Sequence, residues 1–152
     1  MIPMFQTLFT SSNTDSIYKK LNIEEMQTIL KTPEKYIIIH TLMYEYQDCI
    51  LPGTVPDTRE ESVINEMLTR IDIPDKPIVI YGKNARDETV EKKAKQLKSL
   101  GIHDISVYYG GMFEWLLLNE VYGYTEFPVQ VQVQTNNTHN KNPKIHDIWK
   151  YR

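Results

Sequence analysis

Three short apolar runs punctuate the chain: Tyr36-Ile-Ile-Ile-His40, Pro77-Ile-Val-Ile-Tyr81 and Ile105-Ser-Val-Tyr-Tyr109. Each is rich in β-branched or aromatic residues, as strands buried on both faces of a parallel sheet are. Between and around them the apolar spacing is helical. Asn22-Ile-Glu-Glu25 has the form of a capping box, followed by Ile23, Met26, Ile29 and Leu30 on one face and ended by Pro33. Thr58-x-x-Glu61 predicts the start of a second helix, with Ile64, Met67, Leu68 and Ile71 as its buried stripe. Val90, Ala94, Leu97 and Leu100 predict a third, with Gly101 suited to its C′ position. Gly110-Gly111 breaks the chain before a fourth, Met112 to Asn119. Strands that alternate with helices predict a mainly parallel central sheet with helices on both faces, a three-layer α/β/α architecture. Such folds bind ligands at the carboxyl ends of their strands, which makes the polar loop after Tyr81 the natural place for a site.

From about Phe127 the pattern changes. Val129-Gln-Val-Gln-Val-Gln134 alternates strictly, as a one-sided or edge strand does. Thr135 to Pro143 is polar, and apolar residues return only at Ile145, Ile148, Trp149 and Tyr151. The chain therefore divides into an N-terminal arm (1–19), a core domain (20–126) and a C-terminal extension (127–152). An alternating strand either pairs with a partner's sheet or packs on its own domain. Aromatic residues are among those that anchor interfaces. Val129, Val131, Val133, Ile148, Trp149 and Tyr151 are accordingly the candidate partner-docking residues, toward another protein or a second copy.

Composition narrows the classes. The chain has 152 residues, enough for one domain with a real core. Its formal net charge of -3 offers no bulk attraction to nucleic acid or anionic membrane. The single cysteine, Cys49, excludes an internal disulfide and a cysteine-based zinc cluster. No apolar run approaches the roughly 18 residues of a membrane helix. The first residues lack the basic-then-apolar pattern of a signal peptide. The expectation is a soluble, cytoplasmic or otherwise intracellular protein. His139, His146 and Asp147 match no metal-site spacing, so neither metal nor cofactor is expected. His103, after Gly101, reads as solvated.

Taken together, the motifs resemble the rhodanese-like family. Tyr36 to His40 matches its first core strand. Glu45-Tyr46 with Leu51-Pro52-Gly53-Thr54 is similar to its E-Y … I-P-G-A stretch, and Pro77 to Tyr81 to the strand that leads into the active-site loop. Leu100-Gly101-Ile102 and Gly110-Gly111-Met112-Phe113-Glu114-Trp115 are similar to its closing L-x-x-x-G … G-G-x-x-x-W signature. The likeness spans roughly residues 20–120. It implies a rhodanese-like fold and a sulfurtransferase or phosphatase ancestry. His40 stands where the family often has an aspartate. His40, Gly110 and Gly111 are candidate cleft-lining residues, and a satisfied, partly buried His40 is the alternative.

One departure governs the function that the likeness implies. Active members carry a cysteine directly after this strand, at the head of a short loop with an arginine near its end. The thiolate takes up the transferred group. The loop's N–H groups and the following helix N-terminus hold the negative charge. Here the loop reads Gly82-Lys83-Asn84-Ala85-Arg86-Asp87-Glu88. Gly82 stands at the cysteine position and Asp87 at the arginine position. The expectation is a degenerate loop with no catalytic residue, and a protein-interaction or assembly module rather than an enzyme. Two alternatives remain: a sulfurtransferase or phosphatase working through another residue such as Cys49, and a non-catalytic sensor that keeps an anion or metabolite pocket.

Overall fold

The computed structural model describes residues 18–72, 74–132 and 148–152. Its elements are β1 (Lys19–Lys20), α1 (Ile23–Lys31), β2 (Ile37–His40), β3 (Cys49–Ile50) and α2 (Asp57–Thr69). Then come β4 (Ile78–Tyr81), α3 (Glu88–Ser99), β5 (Ile105–Tyr108), α4 (Gly111–Tyr122) and β6 (Gln130–Val131). Short 3-10 turns occupy Pro33–Lys35, Tyr44–Tyr46 and Ile148–Tyr151. Four strands form a wholly parallel sheet in the order β1-β5-β4-β2. β3 and β6 form a separate antiparallel pair.

The strands bury both faces, as their apolar runs require. Ile38, Val79, Tyr81 and Tyr108 face a cluster that includes Met26, Ile29 and Leu30 of α1 and Met112, Trp115 and Leu116 of α4. Ile37, Ile39, Ile78, Ile80, Ile105 and Val107 face Ile64 of α2 and Val90, Ala94 and Leu97 of α3. This period-two partition places two helices on each side of the sheet. Trp115 is fully buried, packs edge-on to Phe127 at 5.0 Å and donates Nε1–H to the carbonyl of Pro128 at 2.9 Å. A buried indole thus keeps its polar edge satisfied.

The capping box of α1 is present: Glu25 N–H donates to Asn22 Oδ1 at 2.8 Å, and Asn22 N–H donates to Glu25 Oε2 at 2.9 Å. Such a cap stabilises a helix by about 1 kcal/mol. The second helix differs from expectation. It begins at Asp57 after Pro56, and no side-chain cap forms from Thr58. Of its expected stripe only Ile64 is buried. Leu68 is 43% exposed, and Ile71, wholly exposed, lies past the last turn. Leu100 caps α3 but is exposed rather than buried, while Gly101 adopts φ 95° as its C′ role demands.

The expected boundaries also shift. Lys19 belongs to the sheet as part of β1, whose two lysines pair with Ser106 and Val107. Phe127 and Tyr151, near the two ends of the C-terminal extension, both lie in the core. Val129 and Val131 turn toward that core and Gln130 and Gln132 away from it, so residues 129–132 of the alternating stretch pack on their own domain, where β6 pairs with β3. Ile148 packs there too. Those residues are therefore not free docking groups. Trp149, at 67% exposed, stays outward. Val133, His139, His146 and Asp147 lie outside the described residues. Among the described residues no helix is long and apolar enough to cross a membrane, and no group of three His, Cys, Asp or Glu side chains gathers where it could hold a metal ion.

Candidate functional site

His40, Tyr81 and Tyr108 end their strands in register, so the loops that follow gather at one end of the sheet. The loop after β4 is clamped from two sides. Met112 N–H donates to the carbonyl of Gly82 at 3.0 Å, and Phe113 N–H to that of Lys83 at 2.9 Å. The first free N–H groups of α4 are thereby satisfied by loop carbonyls. Gly111 permits the approach. It has φ 65°, and a Cβ there would lie 2.6 Å from the carbonyl oxygen of Gly82 and 2.9 Å from the nitrogen of Asn84. The Gly110-Gly111 pair therefore seats the loop and does not itself line the opening.

From the other side Asp87 closes the loop on itself. Its Oδ2 accepts from Lys83 N–H at 2.9 Å, and its Oδ1 accepts from Thr89 N–H at 3.0 Å and from the Thr89 hydroxyl. It is the N-cap of α3. Two N–H groups at the head of the loop and of the helix, those of Lys83 and Thr89, are thus taken by a carboxylate of the chain itself. A Cβ on Gly82 would lie 2.5 Å from Asp87 Oδ2, 2.5 Å from Val90 Cγ2 and 2.9 Å from Thr41 Oγ1. Position 82 has no room for a side chain unless these neighbours move.

An open cleft of about 760 Å³ lies over the loop. Lys83, Asn84, Arg86, Asp87 and Glu88 line it, as the sequence suggests; Ala85 is exposed at the loop tip. Thr41, Met43, Tyr46, Trp149 and Arg152 are among its other lining residues, and sequence reasoning did not bring these to the loop. Tyr46 carried a signal, standing inside the Glu45-Tyr46 motif. The C-terminal turn reaches the cleft through three ties. Asn84 Nδ2 donates to the carbonyl of Tyr151 at 2.9 Å, Tyr151 OH donates to the carbonyl of Tyr46 at 3.0 Å, and Lys150 pairs with Asp48 at 2.6 Å. Lys83 Nζ sits 4.5 Å from the centre of the Tyr46 ring.

His40 lies below this cleft rather than in its lining, and it is buried. Leu42 N–H donates to its Nδ1 at 3.1 Å, so the proton sits on Nε2, which is 3.1 Å from Asp57 Oδ1. It is the satisfied histidine of the two readings. Burial depresses its pKa below 6.5, and the opposing pull of Asp57 and Glu60 is smaller. Tyr81 has a similar structural role: its OH accepts from Leu51 N–H at 3.0 Å and is 2.8 Å from Thr54 Oγ1, pinning the Leu51-Pro52-Gly53-Thr54 turn to the sheet. Cys49 is buried in β3 and outside the cleft lining. Burial, and next the charge of Asp48, raises its pKa, with Lys150 opposing. A thiol held protonated is a poor nucleophile.

With this geometry in place, comparison with known proteins is decisive for family. The sequence model of the rhodanese-like domain matches residues 40–118. The chain belongs to the rhodanese-like family. No curated protein matches it in sequence. Solved structures share the rhodanese-like fold. A protein from Bacillus halodurans superposes with a TM-score of 0.53 at 21% identity, over 75% of this chain and 82% of that one. A full-length protein from Lactobacillus plantarum gives 0.53 at 16% identity, over 87% and 100%. An uncharacterised protein from Saccharomyces cerevisiae gives 0.50 at 19%, over 68% and 94%.

Proposed function

We propose that this rhodanese-like domain carries no transferable sulfur or phosphate and works by binding, as an interaction or assembly module. One observation supports the first half above all: at the head of the loop stands Gly82, with the Asp87 carboxylate against the space its side chain would need. Covalent transfer in this fold requires a nucleophile at the strand end and N–H groups free to hold its charge. The glycine removes the first, and Asp87 occupies N–H groups that would serve as the second.

Cys49 does not substitute. It is buried away from the cleft, and its surroundings favour the neutral thiol. The small-anion sensor is disfavoured by the same Asp87 hydrogen bonds. The second half of the proposal is supported by the lining of the cleft, where Met43 and Trp149 are both more than half exposed. Large exposed apolar and aromatic groups around a concavity are the usual form of a contact face.

The test is turnover of thiosulfate with cyanide, and of a phosphate monoester, by the intact chain and by Cys49→Ser. Neither protein is expected to exceed the protein-free rate. Wild-type turnover abolished by Cys49→Ser would establish the enzyme instead.

A further inference from the structure

We propose that the cleft over the Gly82 loop holds an acidic peptide segment carrying one apolar anchor residue. This rests on the binding role above and names its ligand class. Three cations, Lys83, Arg86 and Arg152, line the cleft, and none joins an ion pair among the described residues. Asp87 has both carboxylate oxygens turned onto the chain's own donors, which leaves Glu88 at the mouth. With both carboxylates counted, the lining side chains still carry an excess of positive charge, in a chain whose formal net charge is -3.

Asp87 takes the N–H groups of Lys83 and Thr89. The ligand's carboxylates are met by the lining cations, two of which are arginines suited to bidentate contact. The apolar anchor has its own place. Trp149 stands outward from the C-terminal turn with Phe113 at 6.3 Å behind it, and Met43 is 63% exposed across the opening. Arg152 and Trp149 belong to the turn that Asn84 and Tyr46 tie to the loop, so this wall is built by the chain's own C-terminal extension.

A peptide fits better than a nucleic acid. A strand with a charge on every nucleotide needs a cationic track and a basic protein surface. This cleft has three cations beside two carboxylates, within a net-acidic chain. A peptide can space its acids and place an apolar side chain between them.

The probe is a Glu/Asp-rich peptide of about eight residues with a central Leu, compared with its Gln/Asn analogue, an oligothymidylate of similar length and inorganic phosphate. Of the two tryptophans, Trp115 is fully buried, so a change in emission on binding reports Trp149. Trp149→Phe is the control. The acidic peptide is expected to bind in a salt-sensitive way. Arg86→Glu and Arg152→Glu, both at exposed positions, are each expected to weaken it roughly tenfold or more. The inference is overturned if the acidic peptide does not bind, if the Gln/Asn analogue or oligothymidylate binds as well, if phosphate alone displaces the peptide, or if both charge reversals leave affinity unchanged. None of these outcomes alters the turnover test, so failure here is distinguishable from failure of the non-catalytic reading.

Discussion

Oδ2 of Asp87 lies 2.5 Å from the point that a Cβ on Gly82 would occupy. The two residues are thus mutually exclusive in their present form: a side chain at 82 displaces the cap of α3, and the cap keeps 82 a glycine. Val90 adds to the block from the helix itself. Gly82→Ala is expected to lower stability by about 1–3 kcal/mol through overpacking. Asp87→Ala alone should cost about 1 kcal/mol as a lost N-cap. The double variant should cost less than the sum, because removing the carboxylate relieves part of the clash. Urea unfolding of the four proteins measures the coupling, and strict additivity would show that the two sites do not compete.

Gly111 and Gly101 both have positive φ but differ in surroundings. A Cβ at 101 meets nothing within 4 Å, whereas one at 111 meets the backbone of the Gly82 loop. Gly101→Ala should therefore cost only the conformational strain, on the order of 1 kcal/mol. Gly111→Ala adds a clash with backbone that cannot turn aside, and should cost at least about 2 kcal/mol more or prevent folding. Thermal unfolding of the pair gives the comparison, and equal losses would mean that the loop and α4 are not in close contact.

Much of the architecture was legible because each strand is a short β-branched run and α1 and α3 carry plain caps and stripes. The parts that were not legible share a physical cause. β1 is two exposed lysines on a sheet edge, held by backbone pairing that leaves no apolar pattern. Ile71 extended the apparent stripe of α2, but it lies past the helix end, where periodicity no longer assigns a face. At the site, the Gly82 loop stood out as a departure from a known motif. Its closure by Asp87 is made with Lys83 and Thr89 of the same stretch, whereas the arrival of Tyr46, Trp149 and Arg152 depends on contacts between residues distant in sequence. Local pattern carries no record of these.

Tyr81 is an apolar residue of β4 whose hydroxyl satisfies Leu51 N–H inside the protein. Tyr81→Phe keeps the packing and leaves that N–H without its partner, at an expected cost of about 1–3 kcal/mol. Thr54 Oγ1 retains the carbonyl of Leu51 as an acceptor at 2.6 Å, so the turn should persist. Denaturant unfolding measures the cost, and no loss of stability would show that the hydroxyl is dispensable.

His40 imposes a pH dependence. Its folded pKa is below 6.5, so on acidification the unfolded chain takes up this proton first. Stability from this group is complete above about pH 6.5 and is lost as pH falls toward the folded pKa. His40→Gln should be less stable at neutral pH yet flatter between about pH 7.5 and 5.5. Unfolding midpoints across that range decide it, and an unchanged slope in the variant would remove His40 as the cause.

The claim on which the function rests concerns group transfer, and intact-protein mass spectrometry after incubation with thiosulfate addresses it most directly. The mass is expected to stay unchanged, with no sulfur retained on any residue, Cys49 included. A stable gain of one sulfur atom that cyanide then removes catalytically would contradict the account.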